Sequence, residues 1–370
     1  MTVSDISHRP TLTNWLEPPG NRWAFRHVRE LVPSALVTAG SGRPLERAPV
    51  DGLRTESLLG YLYRSFTDAL IVLHGGKVAL EWYAPGVTAT DRHILFSVTK
   101  SVTALVACDL AAEGQLDPGA RVATYVPASE AGGYGHARVR DLLDMTANIA
   151  FVEDYEGPDM RRYREASGLL PSGDEVGLHA YLATLPPAGR HGTRLRYVSP
   201  TTDMLGRVCE GVAGAPLAEL IARHVWIPMG AEADADLLVD RYGAPRAGGG
   251  LCATARDMAR IGQLVVDAAA GELGAPRVED MLQPGDAAQW AAGDLRDFLP
   301  GAAYRCCWYQ PARDPGIRLA AGIYAQRIYV DAPRRVVIAQ QASLPAAYDE
   351  ETWLETLPVF DAIARGIVCA

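Results

Sequence analysis

Leu95-Phe96-Ser97-Val98-Thr99-Lys100-Ser101 is the stretch on which the reading of this chain turns. From Val98 to about Ala112 the apolar spacing is helical, and Gly114 closes the pattern at its C-terminal side. Ser97 and Lys100 are three residues apart at the start of that helix, so their side chains share one face. The serine also meets the positive end of the helix dipole, where developing negative charge is favoured. A serine hydroxyl is a poor nucleophile until a base takes its proton. A lysine can be that base if burial lowers its pKa towards neutrality, whereas an arginine stays protonated. The chain has two lysines, Lys77 and Lys100, and every other strong cation is arginine. Taken alone, Ser-x-x-Lys reads equally well as a capping serine with a surface lysine.

A second element lies about a hundred residues on. Arg196-Tyr197-Val198-Ser199-Pro200 places Tyr-x-Ser ahead of a helix reaching about Gly214, with Ser199 as N-cap and Pro200 as its first residue. A phenol beside an ammonium is expected to have its pKa lowered from about 10, which suits a proton shuttle.

Around these segments the chain divides. Ala69–Leu73 and Val78–Tyr83 flank His74-Gly75-Gly76-Lys77 and read as a hairpin with Lys77 in its turn. Residues 1–66 look irregular to helical, anchored by Trp15, Trp23 and Phe25. Helices are expected over Val139–Met145, Leu217–Val225 and Ala255–Ala268, the last opened by a Thr254/Asp257 capping box. Strands return at Tyr304–Tyr309, Gln326–Val330 and Val336–Gln341, and a helix from Glu350 to about Ile363 must accommodate Pro358. The order implies an α+β fold, with one antiparallel sheet built by both chain ends. Residues 1–89 and 290–370 would form the sheet lobe and residues 90–289 a mostly helical lobe, with the active site between them.

The bulk composition narrows the function. A length of 370 residues, 48% hydrophobic and 21% charged, suits a globular protein of two packed lobes. A net charge of −9 disfavours a nucleic-acid surface. No secretory leader and no membrane-spanning run is visible, which leads to a cytoplasmic expectation. Cysteines 108, 209, 252, 306, 307 and 369 have no C-x-x-C spacing and read as reduced, mostly buried thiols. The eight histidines form no zinc pattern, and the Gly248-Gly249-Gly250 run is followed by no Gly-Lys-Ser/Thr, so neither a metal nor a cofactor is expected. No G-x-S-x-G elbow is present.

Ser97-Val-Thr-Lys100 followed by Tyr197-Val-Ser199 resembles the class C β-lactamase and DD-peptidase superfamily. Within it the chain looks most like the aminohexanoate-dimer (nylon-oligomer) hydrolases and related esterases. The likeness continues through Trp15–Phe25, Asp91-Arg-His93, Asp141–Met145, Glu153-Asp-Tyr155, Gly249–Asp257 and Gly322-Ile-Tyr-Ala-Gln326. It implies a β-lactamase/transpeptidase-like fold, its antiparallel sheet flanked by the terminal helices. It implies that Ser97 attacks a carbonyl, Lys100 takes its proton, and Tyr197 delivers a proton to the leaving group. The backbone N–H groups of Ser97 and Ile323 would hold the oxyanion. Tyr155, Ser199, Gly248 and Gly322 would meet the substrate.

The sequence also departs from that family. The third motif, usually Lys-Thr-Gly or His-x-Gly on the edge strand, is Ala320-Ala321-Gly322. Loss of its cation and hydroxyl favours esters or amides without an obligatory carboxylate there. Gly248 replaces a polar side chain and implies a lost substrate contact. Residues 156–176 fit poorly, and Arg161-Arg162-Tyr163-Arg164 reads either as an entrance for an anionic substrate or as a solvated charged face. The expected activity is hydrolysis of a small carboxylic ester or amide, including aminohexanoate-like oligomers. An acyltransferase, a β-lactamase or D-peptidase, and a non-catalytic binding protein are the alternatives. The oligomeric state stays open, a homodimer included.

Overall fold

The computed structural model describes residues 9–173, 176–272, 277–312, 314 and 316–368. Its strands are β1 (Ser34–Val37), β2 (Thr67–His74), β3 (Lys77–Tyr83), β4 (His93–Ile94), β5 (Ala235–Leu238), β6 (Leu251–Ala253), β7 (Ala303–Arg305), β8 (Trp308–Gln310), β9 (Ile317–Gly322), β10 (Gln326–Asp331) and β11 (Val336–Ala342). Seven of them form an antiparallel sheet in the order β3-β2-β11-β10-β9-β8-β7. The early hairpin thus lies beside the last strand.

β2 reads as a continuous apolar run because both faces of the sheet are covered. On one face, Tyr61 of the Glu56–Arg64 helix and Tyr329 of β10 meet edge-on with Phe360 of the Glu350–Val368 helix. The helix Ala255–Ala269 covers the other face. A Cβ at its Gly262 would lie 2.5 Å from Val337 Cγ1 and 2.9 Å from Ile328 Cγ2, so only glycine permits this approach. That helix belongs to the 90–289 stretch of the chain yet packs on the sheet.

The β2–β3 turn uses Gly75 and Gly76 at φ 55° and 79°, as a tight hairpin requires. Lys77 opens β3 and pairs with Glu46 at 2.8 Å. Three features differ from the sequence expectation. First, residues 304–309 are not one strand: Cys306 and Cys307, at φ 46° and 59°, reverse the chain between β7 and β8. Side-chain composition does not announce a left-handed turn made by two cysteines. Second, a separate four-stranded sheet, β1-β5-β6-β4, accompanies the main one. Its strands are two to four residues long, too short for a periodic signal. Third, the helix from Leu217 is α-helical to Ile221 and continues as a π-helical turn, Ala222–Trp226. The other long helices lie close to their expected bounds, Val98–Ala112, Ser199–Ala213 and Ala255–Ala269. Pro358 sits inside the unbroken Glu350–Val368 helix. The five described cysteines are buried free thiols, and Cys369 lies outside the described residues.

Candidate active site

The short sheet builds the approach to Ser97. β4 pairs with β6, Leu95 N–H donates to Leu251 O at 2.8 Å, and Phe96 adopts φ 45° immediately before the serine. The Val98–Ala112 helix then starts, with Lys100 N–H donating to Ser97 O at 3.0 Å. One face of this helix is stitched to the 247–251 segment. Thr99 Oγ1 accepts from Leu251 N–H at 3.1 Å, and Thr103 Oγ1 donates to Ala247 O at 2.9 Å. Between them Lys100 donates to Gly248 O at 2.7 Å.

Lys100 is 1% exposed and uses all three ammonium protons. Besides Gly248 O, they go to Ser97 Oγ at 2.8 Å and Ser199 Oγ at 3.0 Å. Burial pulls its pKa down to about 8, opposed by the charges of Glu153 and Asp203. Relative to the ordinary 10.5, that corresponds to roughly 3 kcal/mol in favour of the neutral amine. Lysine therefore reaches a condition here that arginine could not.

Ser199 is not the N-cap of its helix. Val198 is, and Ser199 and Pro200 are the first two helical residues. The one-residue offset frees the hydroxyl, which accepts from Lys100 and donates to Glu153. Glu153 also accepts Ser199 N–H at 2.8 Å. Burial raises the Glu153 carboxyl, against the pull of Lys100 and Ser199. Ser97, Lys100, Ser199 and Glu153 thus form one unbroken hydrogen-bonded chain.

Tyr197 is half-buried with its ring face 5.2 Å from Lys100 Nζ. Its phenol is not lowered as the sequence suggests. Burial holds it well above 10, reinforced by Tyr309 and Tyr155, with a hydrogen bond to Ser97 pulling the other way. The ammonium lies over the ring face, and desolvation dominates. A neutral Tyr197 phenol beside the serine could give a proton there.

Gly248 meets Lys100 through its backbone, a contact the sequence did not suggest. A Cβ there would lie 2.9 Å from Ser199 O and 3.2 Å from Asp203 Oδ1, directed into the protein. The residue contributes its carbonyl to Lys100, and its N–H donates to Asp203 Oδ1 at 2.6 Å. Asp203, fully buried, is also paired with Arg246 at 2.6 Å and bonded to the Tyr163 hydroxyl. The run 161–164 is split: Arg161 and Arg162 are exposed, Tyr163 is buried under Arg246, and Arg164 faces the cleft.

Ser97 lies where two chambers meet, of about 490 and 550 Å³. The first has aromatic walls, among them Phe151, Tyr197, Phe298, Tyr309 and Trp353, and includes Gly322. The second contains Ser199, Gly248, Phe96 and Met160, with Glu17, Glu153, Glu156, Arg164 and Arg246 as charged groups. Tyr155 and Ile323 line both. β9 is not the sheet edge, but β8 pairs with it only at Tyr309↔Leu319, which leaves Ala321 and Gly322 open to the first chamber. A Cβ at Gly322 would lie 2.7 Å from Leu95 O and 3.1 Å from Ser97 N, so glycine lets β9 abut the serine turn. Phe96 and Tyr324, the neighbours of Ser97 and Ile323, pack 5.2 Å apart, with Phe25 against both. Trp15 stacks on Phe96. The N-terminal anchors therefore fix the backbone on either side of the cleft floor.

The sequence reading assigned no role to Glu153, Asp203, Arg246 or Arg327. Asp203 stands one turn after Ser199 on the same helix face, which is the one signal that could have pointed to it. Among the described residues, Cys108/Asp280/Cys306 and Asp109/Glu113/His224 bring metal-ligating atoms within 4.8 Å of one another, outside both chambers. Asp280 already pairs with Arg140 and Arg305, and Asp109 with His224 and Arg277.

A fold of this kind, with a serine and lysine one helical turn apart at a two-chambered cleft, places the molecule in a defined class. Residues 62–343 match the Beta-lactamase family, and the chain belongs to it. Over 348 residues it is 32% identical to the 6-aminohexanoate-dimer hydrolase of Paenarthrobacter ureafaciens, covering 91% of this chain and 88% of that protein. The structure of a candidate 6-aminohexanoate-dimer hydrolase from Bacillus anthracis superposes with a TM-score of 0.85 at 25% identity, covering 96% and 97% of the two chains. EstCE1, a hydrolase with promiscuous acyltransferase activity, shares the fold at a TM-score of 0.64 and 18% identity, covering 84% of this chain and 99% of that one. The architecture is the β-lactamase/transpeptidase-like one that the motifs implied. Among the described residues, no helix is long and apolar enough to cross a membrane.

Proposed function

We propose that this protein hydrolyses a carboxylic ester or amide through an acyl-enzyme on Ser97. The observation that carries the reading is the 2.8 Å contact between Ser97 Oγ and a buried Lys100 whose pKa is drawn down to about 8. Neutral Lys100 takes the serine proton as Oγ attacks the carbonyl carbon. The oxyanion is held by the N–H groups of Ser97 and Ile323. Tyr197 protonates the departing amine or alcohol as the proton taken up by Lys100 replaces the one it gives. Water then attacks the acyl carbonyl, giving its proton to the same relay, and Ser97 is released. Glu153, through Ser199, sets the charge balance at Lys100. Tyr155 and the aromatic chamber receive the apolar part of the substrate.

The relatedness to a 6-aminohexanoate-dimer hydrolase makes linear amide oligomers the first substrates to try, beside short-chain esters. A fluorophosphonate probe tests the assignment. It should label the wild-type protein and leave Ser97→Ala unlabelled; equal labelling of both refutes it.

A further inference from the structure

Arg327 of β10 is 6% exposed and, among the described residues, has no carboxylate within ion-pairing distance. Its Nη1 donates to Gly322 O at 2.7 Å and to Gln326 O at 2.8 Å, while Nε is buried with no partner among the described residues. The guanidinium rests 4.5 Å from the Trp353 ring and borders the aromatic chamber. Of the titratable groups facing it, Tyr61, Tyr309 and Tyr348 are phenols. Burial lowers its pKa to about 10, so it stays charged at neutral pH. A buried cation without a counter-ion is expensive, and two carbonyls could have been held by a neutral amide side chain instead.

The carbonyl it grips belongs to the peptide that joins Gly322 to Ile323. The N–H of that same peptide is the second oxyanion donor in the function proposed above, on which this inference rests. We propose that Arg327 is a positioning residue of the oxyanion site, polarising the Gly322–Ile323 peptide so that its N–H binds the developing negative charge more strongly. A hydrogen bond at the oxygen draws electron density from the nitrogen, and hydrogen bonds in series strengthen one another. Because Arg327 is buried, its fixed positive charge adds to the effect. The tight β9–β10 loop suits this role, since Tyr324 and Ala325, at φ 57° and 66°, are held by Gln326 Nε2 on Tyr324 O and by Tyr324 N–H on Ala347 O.

The test is infrared spectroscopy of the acyl-enzyme made with a ¹³C-carbonyl-labelled p-nitrophenyl ester, in wild type, Arg327→Gln and Arg327→Met. The ester carbonyl band should move to higher wavenumber in the order wild type, Gln, Met. The rate constant kcat should fall about tenfold in Arg327→Met with KM nearly unchanged, a smaller loss than deletion of an oxyanion donor itself. An unmoved band, with only the melting temperature lowered, would reduce Arg327 to a structural brace and overturn the proposal. If Arg327→Met does not fold, the Gln band decides by the same criterion. If wild type forms no acyl ester at all, the Ser97 reading has failed and this inference falls with it.

Discussion

Lys100 Nζ and the carbonyl oxygen of Gly248 are 2.7 Å apart, so the amine is held from behind by backbone while it faces Ser97. This contact needs a residue without a side chain. In Gly248→Ala the new Cβ would press on Ser199 O, 2.9 Å away, and on Asp203. Because the first of these is backbone, the 248 segment must shift. The expected result is a stability loss of about 1–3 kcal/mol, measured by denaturant titration, together with a fall in kcat of about tenfold or more. Wild-type values for both would show that the lysine tolerates a displaced carbonyl.

The pH profile follows from Lys100. Its pKa in the folded protein lies near 8, below the ordinary 10.5, so the reactive neutral form gains population as pH rises. Fluorophosphonate inactivation should therefore climb through an acid limb near pH 8 to a plateau. The Glu153 charge raises the Lys100 value, so Glu153→Gln should move the limb to lower pH. A limb that stays in place in that variant would detach Glu153 from the lysine.

Tyr197, held well above pH 10 by burial, can give a proton but does not serve as a phenolate. A p-nitrophenolate leaves without protonation, whereas an amine does not. Tyr197→Phe should lose roughly 10²–10⁴-fold in kcat on an amide and at least tenfold less on a p-nitrophenyl ester. Equal losses on the two would argue that the phenol acts before the leaving-group step.

Asp203 neutralises Arg246 and anchors Gly248 N–H, with both charged side chains buried. Asp203→Ala leaves a buried guanidinium unpaired and should cost about 3–5 kcal/mol. Urea unfolding measures this directly, and a cost under about 1 kcal/mol would contradict the argument.

Much of the architecture was legible because long elements leave periodic traces. The Val98–Ala112 helix, the Gly75-Gly76 hairpin and the β10 and β11 strands all follow from spacing and turn chemistry. The four-stranded sheet did not, because its strands carry too few residues for a period. The Cys306-Cys307 turn stayed hidden because its left-handed backbone is imposed by tertiary packing: Ser101 donates to Cys307 O at 2.7 Å and Cys307 N–H to Leu143 O at 2.9 Å. At the site, Ser97, Lys100 and Tyr197, which the fold brings together, could be singled out because the chemistry proposed for them depends on side chains at fixed spacing. The contact of Gly248 with Lys100 was not legible, because it is made through a carbonyl, which no residue letter encodes. Glu153 and Arg327 reach the cleft from distant segments, and only the folded chain brings them to Ser199 and Gly322.

The most direct measurement is intact-protein mass after brief mixing with a slowly released p-nitrophenyl ester, followed by peptide mapping. One added acyl group is expected on Ser97 in the wild type, and no such adduct in Ser97→Ala or Lys100→Met. An adduct on another residue, or turnover by Ser97→Ala at the wild-type rate, would contradict the assignment of Ser97.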